Sequence, residues 1–145
     1  MIRLQCTEFE RNAPELGDYL YVRVDVEDAG FCGYSNCVFS EGNWDGFLAE
    51  LNQLAHGAAP SASLTAGWGD EVYFSLEFEQ PDIRGHVWVS VVVAHPVRAR
   101  VPVNPPVSHR LNFAYEIDLA TLDRMLADAK GFKTGAALEV VGLPT

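Results

Sequence analysis

The chain has 145 residues, 48% of them hydrophobic, and carries twenty Asp and Glu against ten Lys and Arg, a formal net charge of −10. That size and apolar content suffice to bury one core without a disulfide or a metal. The charge repels phosphate backbones and anionic lipid headgroups, so direct nucleic-acid and membrane-surface binding are excluded from the expected functions, and a basic partner is favoured instead.

Ile2 to Cys6 reads as a short opening strand, followed by a polar turn region through Asn12, Ala13, Pro14 and Gly17. Leu20, Val22, Val24 and Val26 then share one face while Tyr21, Arg23, Asp25 and Glu27 share the other, the period of a half-buried strand. Asp28-Ala29-Gly30 supplies turn chemistry and Phe31 to Phe39 the hairpin partner. From Trp44 to Ala55 the period changes, with Trp44, Phe47, Leu48, Leu51, Leu54 and Ala55 lining one helical face; Asn43 or, a turn earlier, Ser40 caps it, and Gly57 stops it. Gly57 to Ser63 reads as a short connection.

Val72, Phe74, Leu76 and Phe78 alternate with Tyr73, Ser75, Glu77 and Glu79, and a turn at Pro81 to Gly85 leads to His86 through Ala94, where Val87, Val89, Val91 and Val93 repeat the alternation. Because Trp88 and Val92 lie opposite those valines, this strand is apolar on both sides and is expected inside the sheet. Pro96 to Pro106, with four prolines, reads as an extended loop or edge. Leu111, Phe113, Tyr115 and Ile117 form a further strand, Asp118 caps a helix with Leu119, Leu122, Met125, Leu126 and Ala129 as its buried stripe, Gly131 ends it, and Ala137 to Leu143 adds a last short strand. The expected fold class is α+β: an antiparallel sheet of about six strands with two amphipathic helices packed on it, one domain over residues 1–145.

No apolar run reaches the roughly 20 residues of a bilayer span and Met1-Ile2-Arg3-Leu4 lacks a signal-peptide layout, so a cytoplasmic location is expected. Cys6, Cys32 and Cys37 cannot all pair within one molecule and lack zinc-knuckle spacing, which predicts three buried or inert thiols. The chain has no phosphate-cradling Gly-rich loop with Lys, no nucleophile elbow and no paired-His metal helix, so it is not expected to be an enzyme or to hold a cofactor. The competing enzymatic reading gathers His86, His95 and His109, with Asp82, around a metal or small ligand.

Ala66-Gly67-Trp68-Gly69-Asp70-Glu71 joins two strands and sets Trp68 at a tip, where it either anchors a partner or folds back over the sheet edge. With Trp68, Asp70 and Glu71, the outward residues Tyr21, Arg23, Asp25, Tyr73, Glu77, Glu79 and Trp88 mix aromatics and charge in the way that suits a protein interface.

Trp44-Asp45-Gly46-Phe47-Leu48 opening a helix, Gly85-His86-Val87-Trp88-Val89 closing a hairpin, and Leu111 to Asp118 leading into the last helix together resemble the small immunity proteins of the WapI type, or a related small bacterial family, that accompany polymorphic toxins. The likeness spans about residues 19 to 129. It implies a cytoplasmic protein that binds a cognate toxin domain, often a nuclease, and blocks its active site or substrate groove, with no catalytic motif to carry over. Trp44 and Phe47 then stand as core, Gly85 as turn and Asp118 as cap. The expected function is stoichiometric toxin inhibition by a monomer or weak homodimer. The alternatives are the histidine-based enzyme and a structural subunit of a homo-oligomer.

Overall fold

A computed structural model describes residues 1–13, 17–68, 71–96 and 108–143. In chain order these form β1 (Ile2–Ala13), β2 (Gly17–Asp28), β3 (Phe31–Ser40), α1 (Glu41–Ala55), β4 (Ser61–Trp68), β5 (Glu71–Glu79), β6 (His86–Pro96), β7 (Ser108–Asp118), α2 (Leu119–Asp128), a 3₁₀ segment (Ala129–Thr134) and β8 (Leu138–Val140). The class is α+β, but the strands divide into two antiparallel four-stranded sheets, β3-β2-β1-β8 and β4-β5-β6-β7, where one sheet of about six strands was expected. The physical reason lies in the apolar faces: more one-sided strand surface needs covering than two helices offer, so the two sheets help to cover each other. The change of sheet comes where α1 interrupts the run of strands.

Three other expectations are corrected. β1 continues to Ala13 through the stretch expected to be a polar turn, with register shifts between Cys6 and Glu8 and between Glu10 and Ala13 absorbing the break in alternation. Part of the supposed connection before Ser63 is already β4, with Ala62 and Leu64 buried on its inner side. Gly131 does not end the last helical stretch. The chain tightens to 3₁₀ geometry and stops at Gly135, whose φ of +100° a side chain would strain. The extended loop expected from Pro96 to Pro106 lies, beyond Pro96, outside the described residues. β6 is internal to its sheet, as its two-sided apolar character implied.

Both helices begin on a side-chain cap. The Ser40 hydroxyl, not Asn43, caps α1 by accepting the backbone N–H of Asn43 at 3.1 Å, and the Asp118 carboxylate accepts that of Thr121 at 2.7 Å. At the β2–β3 turn Ala29 and Gly30 both have positive φ, +48° and +83°, the geometry of a primed hairpin turn. Alanine carries a steric cost there that asparagine largely escapes. Ala29→Asn is therefore expected to stabilise the fold by up to about 1 kcal/mol, read from the midpoint of urea unfolding; a lower midpoint would contradict the turn assignment.

A single buried cluster joins the elements. Phe39 of β3 meets Phe74 of β5 edge-on at 6.1 Å, so the two sheets touch through aromatics. Trp44 of α1 stacks on Phe132 of the 3₁₀ segment at 4.0 Å, and Phe47 leans on Phe78 at 6.0 Å. The helices turn Phe47, Leu51, Leu54, Leu122 and Met125 into the same cluster, while Tyr21, Arg23, Glu77 and Trp88 on the far sides of the sheets keep contact with solvent.

Candidate partner-binding surface

The strand period sorts each residue of the second sheet to one of two sides. Phe74, Leu76, Phe78, Val87, Val89, Val91 and Val93 go into the core, and Tyr73, Ser75, Glu77, Glu79, Trp88, Ser90 and Val92 face away from it. Glu77 lies opposite Ser63 and Ser90, and Ser90 opposite Ala114, so the middle of this outer face is a shallow trough of small side chains. Trp88 stands at one end of it, 43% exposed, with Glu116 of β7 directly opposite. One step beyond the last β5–β6 pair, Phe78 and Val89, comes Glu79 on the other flank.

The charges of this face differ from those of the first sheet. There Arg23 grips Asp25 through Nε at 3.0 Å and Nη2 at 2.9 Å and lies over the Tyr34 ring at 4.4 Å, while Arg3 faces Glu139 at 3.6 Å. Tyr21 donates its hydroxyl to Glu10 at 2.8 Å, and that bond together with the Glu10 charge pushes its phenol above the usual range. On the second sheet, among the described residues, neither Glu77 nor Glu79 is ion-paired, and Glu116 meets only the imidazole of His86, at 3.6 Å. Asp25 and Glu139 of the first sheet are thus ion-paired to arginines, whereas Glu77 and Glu79 of the second have no such partner among the described residues.

The residues singled out from the sequence do not assemble as one patch. Tyr21, Arg23 and Asp25 share the outer face of the first sheet, and Tyr73, Glu77, Glu79 and Trp88 that of the second. Trp68 and Glu71 are opposite one another at the β4–β5 turn, but their side chains, and Asp70 altogether, lie outside the described residues. Two residues not assigned to a partner surface from the sequence lie near Trp88: Glu116, whose outward parity in the Leu111 to Ile117 strand was available as a signal, and Asp28 at the end of β2, read there only as turn chemistry.

Two concavities open where the sheets meet. A groove of about 770 Å³ has Val26, Gly33, Val93 and Leu111 in its lining and Arg23, Tyr34 and Arg110 beside them. Its shape depends on Gly33, since a Cβ there would lie 2.6 Å from Leu111. The second, about 490 Å³, runs along the outer edge of β7 between Asp28, Trp88, Tyr115, Glu116 and the chain from Val141 to Leu143. Tyr115 buries its hydroxyl without a hydrogen-bond partner among the described residues, and burial, reinforced by the Asp28 charge, pushes the phenol up to about 12.

Removing that unsatisfied hydroxyl frees the fold of a desolvated polar group, so Tyr115→Phe is expected to be neutral or stabilising by up to about 1 kcal/mol near neutral pH. A phenol raised in the folded state contributes stability below its ordinary value of 10.0 that is lost as pH rises toward about 12. Urea unfolding across that range should show a shallower alkaline decline in Tyr115→Phe, the remainder coming partly from the buried Cys37 thiol, pushed up to about 11. A destabilised variant at neutral pH would reveal a partner for the hydroxyl.

The proposed histidine cluster does not form. His86 and His95 sit at opposite ends of β6, about 30 Å apart at the rise of an extended chain, although His95 and His109 are cross-strand partners. Asp82 serves its own turn instead of a metal. Its carboxylate accepts the backbone N–H groups of Arg84 at 2.8 Å and His86 at 2.9 Å, and these bonds, that from His86 foremost, hold its pKa below the usual range. Among the described residues no three His, Cys, Asp or Glu side chains gather as metal ligands, and no helix is long and apolar enough to cross a membrane. Of the three thiols expected to be buried or inert, Cys6 and Cys37 are buried and Cys32 is exposed near the start of β3. No protein-family model, curated protein or solved structure matches this chain.

Proposed function

We propose that this chain is a stoichiometric inhibitor that binds a basic protein, an immunity protein whose partner is a toxin domain, and that the outer face of the second sheet is where the two meet. The observation that carries this reading is a set of glutamates with no Arg or Lys partner among the described residues, Glu77, Glu79 and Glu116, on the outer face of the sheet beside the exposed ring of Trp88. A rigid sheet face loses little conformational freedom on docking, and an exposed tryptophan offers apolar area of the kind that dominates interface energetics. The net charge of −10 adds long-range attraction for a cationic partner. The resemblance in element order to WapI-type immunity proteins supplies the class of partner.

The test is co-expression with the C-terminal domain encoded by the gene next to this one. The expected result is restored growth of the host and a complex in equal proportions on size exclusion with light scattering. Toxicity undiminished by the co-expressed chain, with the two proteins eluting apart, would overturn the reading.

A further inference from the structure

We infer that the cleft along the outer edge of β7 is a slot for an arginine side chain of that basic partner, with Trp88 as its platform and Glu116 and Asp28 as its counter-charges. The inference rests on the inhibitor reading for the identity of the partner, but the slot itself is argued from this chain alone. An exposed indole is the strongest of the aromatic platforms for a cation. The intramolecular cation–ring contacts among the described residues go elsewhere, Arg11 and Lys133 to Phe9 and Arg23 to Tyr34, which leaves the Trp88 ring to an outside cation.

The carboxylates are placed to hold such a cation. Glu116 is the cross-strand partner of Trp88 on β7, and Asp28 reaches the same cleft from the end of β2. The α-ammonium of Met1, also at the cleft, donates to the Glu27 carbonyl at 2.6 Å, so beside the His86 imidazole, 3.6 Å from Glu116, two carboxylates face one engaged ammonium. Val141, 47% exposed, and Leu143 add apolar wall for the methylene stem. That wall is fixed, because the Leu143 amide donates to the Glu116 carbonyl at 2.8 Å and Gly142 lies so close to Tyr115 that a Cβ there would come within 3.1 Å of it. A planar guanidinium, able to stack on the indole while donating to both carboxylates, meets these conditions better than a compact ammonium.

The experiment titrates the whole chain with Nα-acetyl-arginine amide and with the uncharged isostere Nα-acetyl-citrulline amide, followed by proton–nitrogen NMR. Saturable shifts of the Trp88 indole N–H and of the Val141 to Leu143 amides are expected with the arginine probe, at least about fivefold stronger binding than with citrulline, and a loss of about fivefold in Trp88→Phe and in Glu116→Gln. Equal binding of the two probes, or shifts that bypass Trp88, would overturn the slot. If the arginine probe binds as expected but no basic protein is inhibited, the inhibitor reading falls and the slot stands. If a basic partner binds equally well to Trp88→Phe and Glu116→Gln, the slot falls as its anchor and the inhibitor reading stands.

Discussion

Trp44→Ala is expected to destabilise the fold by about 3–5 kcal/mol, the range for deleting a wholly buried large aromatic side chain. Trp44 has no exposed surface, stacks on Phe132 at an interplanar angle of 16° and touches Phe47 at 5.8 Å, so its removal opens a void in the middle of the aromatic cluster. A loss of that size is a large part of the roughly 5–15 kcal/mol that holds an ordinary domain together. Urea unfolding followed by far-ultraviolet circular dichroism measures it. Phe132→Ala should cost a comparable amount, and the double variant should cost less than the two combined, by about 0.5–1.5 kcal/mol of stacking. Simple additivity would mean that the two rings pack independently and that α1 is not fastened to the 3₁₀ segment through them.

The second large effect concerns association. Glu77→Lys with Glu79→Lys moves the formal net charge from −10 to −6, two units per substitution, and does so entirely on the outer face of the second sheet. The association rate with the basic partner should fall by about 10- to 100-fold at low salt. Its dependence on ionic strength should flatten. Because both side chains are exposed and free of ion pairs among the described residues, thermal stability should hardly change. Asp123→Lys with Asp128→Lys, exposed on α2, makes the same change of net charge elsewhere. Stopped-flow association of both doubles decides the matter: if the α2 pair slows binding as much as the sheet pair does, total charge governs the encounter and the face has no special part.

Much of this architecture could be read from residue order, because an alternation such as Leu20 to Val26 or Val87 to Val93 has only one extended solution that hides the valines. The limits are equally physical. Alternation places a residue on a face but does not choose its neighbouring strand, so Tyr21, Arg23 and Asp25 looked equivalent to Tyr73, Glu77 and Glu79 until pairing put them on different sheets. The extent of β4, implied only as the strand before Ala66, stayed hidden because Ala62 and Ala66 give too little hydrophobic contrast with Ser61, Ser63 and Thr65. Glu116 matters through its cross-strand relation to Trp88, nearly thirty positions away in the chain, and Asp28 through a seam between sheets; neither relation has a local signature. The histidines illustrate the converse, a set of chemically suggestive residues that the length of one strand keeps apart.

The pairing of Ile2 with Val140 has a consequence for biosynthesis. β1 finds β2 as soon as both have emerged from the ribosome, yet its other edge stays unmatched until β8 arrives at the far end of the chain. At about 5–20 residues per second that interval is on the order of ten seconds, during which Ile2, Leu4 and the backbone groups of β1 remain open to neighbouring nascent chains. Crowded, rapid expression should therefore favour inclusion bodies, and slower translation or a chaperone that shields strand edges should raise the yield of native protein.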